Sequence, residues 1–362
     1  ILPIYLEYKK LEKDLSTYGY KFLKQINKHT GRLHTNFTQI VDTGRMASGG
    51  KNKSTGEEYI NFQNIPADAE TRNCFTNQFE STILINCDYS GMEQVFLANK
   101  SKDKDLIAFY EKSTSDMHSY IASKIYPELR EVSLKEIKDK YKDKRQIAKS
   151  AGFAINYGGT GFTIAKNLSI SKEEGEEVER AYFTAFPGLK NYFDLQESLT
   201  LKNGYILIDD ITGSKLFIPK FDEFKSLEEK FDFNNKEFWN KYKIEKVNAS
   251  SWYKDIKEEL SYYFRWKSQI RRNSLNYPIQ GGSSSITKIA GILLFDWIKS
   301  NNMINKVLIS NIVHDEFIIE CPKNIADTVS RAVKDCMEKA GSYYCKLVPL
   351  KASPVITNHW EH

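Results

Sequence analysis

KVLISNIVHDEFIIE, residues 306–320, places β-branched and apolar side chains on both sides of a short polar interruption. Lys306 to Val313 and Phe317 to Glu320 therefore read as two strands meeting in a tight turn that contains His314 and Asp315. Asp315 and Glu316 are then held at a hairpin tip beside a buried sheet. Taken alone, Val313-His314-Asp315-Glu316 is as well explained by a polar hairpin turn.

Working outward, STILINCDYSGME, residues 81–93, has the same character. The apolar run from Ser81 to Cys87 predicts a strand that stops at Asp88, and Met92 to Ala98 can begin a helix. Asp88 thus sits at a strand end, where neighbours such as Tyr89 offer a backbone carbonyl. Mg²⁺ prefers oxygen ligands from one or two carboxylates, water and substrate phosphate, so Asp88 by itself is half a site. A helix-capping or solvated aspartate fits the isolated residue equally well. Beside Asp315, however, the two carboxylates could hold a pair of metal ions, an arrangement that activates a 3′-hydroxyl and stabilises a departing pyrophosphate.

Arg145, Lys149, Phe153 and Tyr157 recur every fourth residue and are followed by Gly158 and Gly159. Each such step turns a helix by about 40°, so the four side chains form one stripe. Its cationic half could hold triphosphate oxygens, with Lys149 able to donate a proton to pyrophosphate, and its aromatic half could stack on base and template. An ordinary amphipathic surface helix is the bland alternative. Arg272, Asn276, Gln280 and Gly281 again fall mostly at four-residue steps and carry donors suited to minor-groove acceptors, which every base pair offers. Arg45, after Gly44, and the loop Asn61-Phe62-Gln63-Asn64-Ile65-Pro66 could serve the primer side in the same way.

The rest of the sequence sets bounds. With 362 residues, 41% hydrophobic and 13% aromatic, the chain can bury a sizeable core, and two subdomains are expected. The balance of 52 Lys+Arg against 47 Asp+Glu leaves a nucleic-acid partner to local basic surfaces rather than to net charge. Cys74, Cys87, Cys321, Cys336 and Cys345 form no CxxC pair, which argues against structural zinc and suits a reducing compartment. No apolar run reaches the roughly 18 to 20 residues that cross a bilayer, so no membrane partner is expected. Because the chain opens on Ile1 rather than Met, a longer parent polypeptide is expected. Residues 1–28 read as one or two amphipathic support helices, and Thr30 to Arg45 as short strands and loops. Ala47 to Glu58 reads as an exposed loop, Ser101 to Gln196 as mostly helix, and the aromatic block 221–264 as an insertion or accessory helices.

Together these residues resemble DNA polymerase family A, typified by bacterial DNA polymerase I and including phage enzymes. Thr43-Gly44-Arg45 and Gln63-Asn64-Ile65-Pro66 look like the family's entry to the palm. Asp88-Tyr89-Ser90 with Glu93 resembles motif A, Arg145 through Tyr157-Gly158 motif B, and His314-Asp315-Glu316 motif C. Asn276, Pro278, Gln280 and Gly281 resemble the stretch after the fingers. Gly91-Met92 stands where Gln-Ile is common, Val95 where an arginine is usual, and Gly152-Phe153-Ala154 where Asn-Phe-Gly is usual.

The resemblance implies an α+β right-hand polymerase fold, with an antiparallel palm sheet, helical fingers and a thumb largely missing. The implied division is a remnant of support helices at 1–30, first palm part at 31–100, fingers at 101–265 and second palm part at 266–362. The implied activity is template-directed addition of dNTPs to a primer 3′-hydroxyl with release of pyrophosphate. Asp88, Asp315 and the Tyr89 carbonyl would take two Mg²⁺ ions, with Mn²⁺ as a substitute, and Glu316 would support them. Arg145, Lys149, Phe153, Tyr157, Tyr89 and the steric gate Glu93 would meet the dNTP. Arg45, Asn64, Arg272, Asn276, Gln280 and His314 would meet primer-template DNA. An upstream exonuclease and thumb, or a separate processivity subunit, are implied partners, in the cytoplasm of a bacterial cell or phage-infected host. Two rivals remain at this stage: a single-subunit RNA polymerase-like enzyme, against which Glu93 and Glu316 argue, and a catalytically silent DNA-binding or assembly subunit.

Overall fold

The computed structural model describes residues 2–361 apart from 52, 55, 57, 112–115, 232, 234 and 249, so parts of the expected loop 47–58 and of the block 221–264 lie outside the described residues. The chain divides into two compact units, residues 1–96 with 280–362 and residues 97–279.

The first unit is organised by a four-stranded antiparallel sheet in the order Ala352–Thr357, Thr82–Tyr89, Glu316–Pro322, Leu308–Val313. The two inner strands, TILINCDY and EFIIECP, are rich in residues that fill a pleated surface, and most of their side chains are buried. Side chains alternate between faces. Ile85, Cys87, Tyr89, Phe317 and Ile319 turn toward helix Ala326–Tyr344, which buries Val329, Val333 and Met337 at four-residue steps. Leu84 and Ile318 turn the other way, into a cluster with Ile60, Phe62, Ile65, Val313 and Trp360. Each such apolar side chain contributes about 2 kcal/mol on burial. Asp88 and Glu316 share the face of Leu84 and Ile318 by the same alternation.

The strands run Thr82–Tyr89, Leu308–Val313 and Glu316–Pro322, so several boundaries differ by one or two residues from the sequence expectation, and two of them bear on the site. The first strand runs one residue past Asp88 to Tyr89, and the hairpin's second strand begins at Glu316 rather than Phe317. Glu316 pairs with Val313 on one side and Asp88 on the other, so ladder bonding captures a polar residue that hydropathy assigns to the turn. Two N-terminal helices are present, Leu2–Tyr18 and Tyr20–Gln25, but the first buries none of its residues. Its apolar members Leu2, Ile4, Leu6, Leu11 and Leu15 are exposed, so amphipathic spacing alone overstated its packing. The hydroxyl of Tyr18, at its end, donates to the Asn64 carbonyl at 2.6 Å.

The second unit is mostly helical, from Lys104–Glu111 through Pro187–Asn203, with one hairpin, Tyr205–Asp209 against Ser214–Phe217. Helices Gly161–Leu168 and Lys172–Ala185 cross where two glycines meet: a Cβ on Gly175 would lie 2.3 Å from the Gly161 carbonyl oxygen. Buried Asp103 accepts from the backbone N–H groups of Asp105 and Leu106 at one helix start and of Gly188 at another, at 2.8 to 3.1 Å. The aromatic block forms helices Phe221–Lys230 and Lys236–Val247 and the first part of Ser251–Ser300. They have their own core, in which the Phe224 and Tyr263 rings stack at 5.1 Å. Ser251–Ser300 continues through Pro278, so the boundary expected at 265/266 falls inside one helix. No described helix is long and apolar enough to cross a membrane.

Candidate functional site

In the first unit the sheet register places Asp88 directly across from Glu316, and therefore one residue from Asp315. Asp315 and His314 form the two-residue turn between Val313 and Glu316, with His314 at φ +54°. A φ in this left-handed region favours glycine, so His314 stands there at a conformational cost. The two aspartates interact. Burial and then the Asp88 charge push the Asp315 carboxyl up to about 7, and burial and then Glu316 push Asp88 up to about 6. Asp88 Oδ1 is buried without a hydrogen-bond partner among the described residues. Two close acids, one with an orphaned oxygen, are under-neutralised.

Tyr89 alternates to the opposite face, where its buried hydroxyl donates to the Met337 carbonyl at 2.7 Å. The ring is core, which leaves its backbone as the part able to serve the acid pair. Glu316 is buried and its two oxygens are engaged: Oε2 by Arg72 Nη1 at 3.3 Å and Oε1 by the indole N–H of Trp360 at 2.8 Å. Arg72 and Trp360 were not singled out from the sequence. An arginine 16 residues before an aspartate and a tryptophan near the chain end carry no local signal; the sheet brings them together.

A second group flanks the hairpin. Glu93, in the first turn of Met92–Ser101, forms an ion pair with Arg45. Gly44 holds φ +70°, and its carbonyl accepts the Ser284 hydroxyl at 2.6 Å. Gln63 braces the turn: its amide donates to the Ile312 carbonyl at 2.6 Å and its Oε1 accepts the His314 N–H at 3.2 Å. Partial burial and then Arg45 hold the His314 imidazole below its ordinary pKa. Asn64 is exposed in the short helical turn Phe62–Asn64. Gln63, quoted in the sequence as a loop residue, thus acts as a clamp on the acidic hairpin.

In the second unit Arg145, Lys149 and Phe153 lie on helix Lys142–Asn156, while Tyr157 is the residue that caps its end. The stripe is therefore three helical residues plus a cap. Phe153 and Tyr157 remain 46% and 41% exposed, unusual for aromatic residues at a packed helix. Arg145 is gripped by Asp116 through Nε at 3.1 Å and one terminal nitrogen at 3.0 Å. Asp116 also caps Met117–Ile125, accepting the Ser119 N–H at 3.2 Å and hydroxyl at 2.7 Å. Burial raises its carboxyl, but Arg145 and Ser119 outweigh that and hold it at about 2. His118, also missed in the sequence, lies 5.8 Å from the Phe153 ring, and burial, Arg145 and Lys149 lower its pKa. Arg145 and Lys149 are the cations here, with the His118 imidazole beside them and the Asp116 carboxylate held by Arg145.

Gly158, at φ +74°, packs on the Arg272 backbone, where a Cβ would approach its Cα to 2.8 Å. Arg272 also donates to the Ser268 hydroxyl at 2.7 Å. Asn276 and Gln280 follow on the same helix and are half-buried.

No cluster of three or more His, Cys, Asp and Glu suited to a metal occurs among the described residues. A cation at Asp88 and Asp315 would rely on two carboxylates completed by backbone, water or substrate oxygen. That is the donor set of Mg²⁺, and the orphaned Asp88 oxygen fits it.

The first unit thus holds a carboxylate pair where strand Thr82–Tyr89 meets a hairpin turn, and the second a helix with cationic and aromatic side chains. The model of DNA polymerase family A matches residues 1–362, and the chain belongs to that family. It is 30% identical over 352 residues to DNA polymerase I of Caldicellulosiruptor bescii, covering 96% of this chain and 34% of that protein. It is 30% identical over 359 residues to DNA polymerase I of Borreliella burgdorferi, covering 98% and 33%. Among solved structures it resembles the POL domain of Pol1 from M. smegmatis in complex with DNA primer-template and dNTP, with TM-score 0.72 and 25% identity over 96% of this chain and 52% of that one. The chain spans about a third of the length of these curated relatives.

Proposed function

We propose that this chain carries out template-directed DNA synthesis, adding dNTPs to a primer 3′-hydroxyl. Family membership supports the reaction class. The observation that supports the mechanism is the closeness of Asp88 to Asp315, next to its cross-strand partner Glu316, with both carboxyls raised in pKa and one Asp88 oxygen without a partner among the described residues. In this reading the first unit is the palm and the second the fingers.

Asp88, Asp315 and the Tyr89 carbonyl are the groups that would hold two Mg²⁺ ions, whose chemistry is to acidify the primer hydroxyl and neutralise pyrophosphate. Arg145 keeps a terminal nitrogen beyond the two bound to Asp116, and with Lys149 and His118 it binds triphosphate. Lys149 holds a proton for the leaving pyrophosphate. Phe153 and Tyr157 supply stacking surface for the nascent pair. Glu93, held by Arg45, occupies the volume a ribose 2′-hydroxyl would need. Arg272, Asn276, Gln280, His314 and Asn64 contact minor-groove and sugar atoms of primer-template DNA without reading sequence.

Primer extension on one template with Mg²⁺, comparing dNTPs with NTPs, tests this. Extension with dNTPs supports the proposal. Preference for NTPs would transfer the chain to RNA synthesis, and DNA binding without extension under Mg²⁺ or Mn²⁺ would leave a binding subunit.

A further inference from the structure

The C-terminal segment is stitched to the acid site at several points. The Trp360 N–H donates to the Phe75 carbonyl at 2.8 Å, and the Asn77 N–H to the Asn358 carbonyl at 3.3 Å. Thr76 and His359 form an antiparallel bridge. Asn86, two residues before Asp88, donates its side-chain amide to the His359 carbonyl at 3.1 Å. The Trp360 indole is buried, edge-on to Phe75 at 5.6 Å, with the Arg72 guanidinium 4.4 Å from its ring centroid.

From this geometry we infer that Trp360 is a positioning residue for the polymerase acids, holding the Glu316 carboxylate away from the pair Asp88 and Asp315. The inference rests on the reading of those two aspartates as metal carriers. Glu316 and Asp88 are direct cross-strand neighbours on one sheet face, where like charges repel. A free glutamate there could swing onto an incoming cation or crowd Asp88. Arg72 binds one Glu316 oxygen and the indole N–H the other, so the side chain is tied at both ends of its carboxylate. Arg72 supplies charge, while Trp360 supplies direction, since an indole N–H donates along one fixed line. Phenylalanine at 360 would keep the aromatic contacts and lose that line.

The test is the Mg²⁺ dependence of primer extension, and of the melting temperature without substrate, in the full chain carrying Trp360→Phe; both midpoints should shift together. The midpoint Mg²⁺ concentration is expected to rise about tenfold, as for loss of a group that orients a metal site, with dNTP KM within twofold of wild type. Phe75→Leu disturbs the same aromatic cluster but keeps the indole N–H, so it should lower thermal stability with the wild-type Mg²⁺ midpoint. In a Glu316→Gln background, Trp360→Phe should add no further shift. Equal Mg²⁺ midpoints for wild type and Trp360→Phe, or matching shifts in Trp360→Phe and Phe75→Leu, would overturn the assignment. If Trp360→Phe fails to fold, benzothienylalanine at 360, which replaces N–H by sulfur in a ring of the same shape, carries the same comparison. Wild-type protein that extends nothing would instead remove the polymerase reading, and this inference with it.

Discussion

Asp88 and Glu316 face each other across adjacent antiparallel strands, yet Glu316 is bound by Arg72 and Trp360 while Asp88 keeps an oxygen with no partner among the described residues. Donors of the fold tie both oxygens of one acid, while the other keeps an oxygen for a ligand from outside. The chemistry proposed for the chain depends on that asymmetry.

Asp88→Asn or Asp315→Asn should therefore reduce dNTP incorporation by about a hundredfold or more while leaving the protein folded. Without metal, each variant should be as stable as wild type or more stable, by on the order of 1 kcal/mol, because an unfavourable buried charge has been removed. Single-turnover extension and thermal unfolding measure the two halves. A variant with wild-type extension would remove the metal assignment.

Stability of the metal-free protein should fall as pH rises from about 4 to 7. The folded values for Asp88 and Asp315, about 6 and 7, lie above the ordinary carboxylate value, so in that window the folded state binds more protons than the unfolded one. Added Mg²⁺ should stabilise the protein more at pH 8 than at pH 5. The difference in melting temperature between wild type and the Asp88→Asn, Asp315→Asn double variant isolates this contribution, and a pH-independent difference would contradict it.

Asp116 has the opposite linkage. Its folded value near 2 lies below the ordinary one, so its stabilisation is present above about pH 4 and is lost as pH falls toward 2. Asp116→Ala should cost about 1 kcal/mol through the lost cap and flatten the acid limb of the unfolding curve. It should also raise the dNTP KM, because Arg145 loses the carboxylate that orients it.

His314→Gly should stabilise the hairpin by about 1 kcal/mol, since glycine accepts the positive φ freely. Extension should fall in the same variant because the imidazole beside Arg45 and Glu93 is gone. Chemical denaturation and a primer-extension rate make the comparison.

Glu93→Ala should lower the preference for dNTPs over NTPs by about tenfold or more, since space for a 2′-hydroxyl opens. Arg45→Ala is expected to move in the same direction by a smaller factor, because the glutamate then loses its anchor. Competition between the two nucleotide classes on one template checks both.

Much of this was legible along the chain. The apolar run before Asp88 and those on either side of His314-Asp315 define strands because β-branched residues fit a pleated surface, and four-residue spacing puts Arg145, Lys149 and Phe153 on one helix. The signal failed where a residue's state is set by a distant partner. Glu316 read as part of the turn until ladder pairing claimed it, and Tyr157 read as helical although it ends the helix. The helix Leu2–Tyr18 has the spacing of a packed element, yet Leu2, Ile4, Leu6, Leu11 and Leu15 are exposed, and among its described residues Tyr18 is the one that packs on the core.

By itself the amino-acid order determined the local elements and which residue types occupy them, because dihedral preference and hydrophobic period act over a few positions. Only the tertiary structure decided the ionic state of each group. It closed a strand from residue 82 against one from 316, seated Arg72 and Trp360 on Glu316, and set Asp116 on Arg145. Burial and the distance between charges govern proton affinity, and neither exists until remote segments meet.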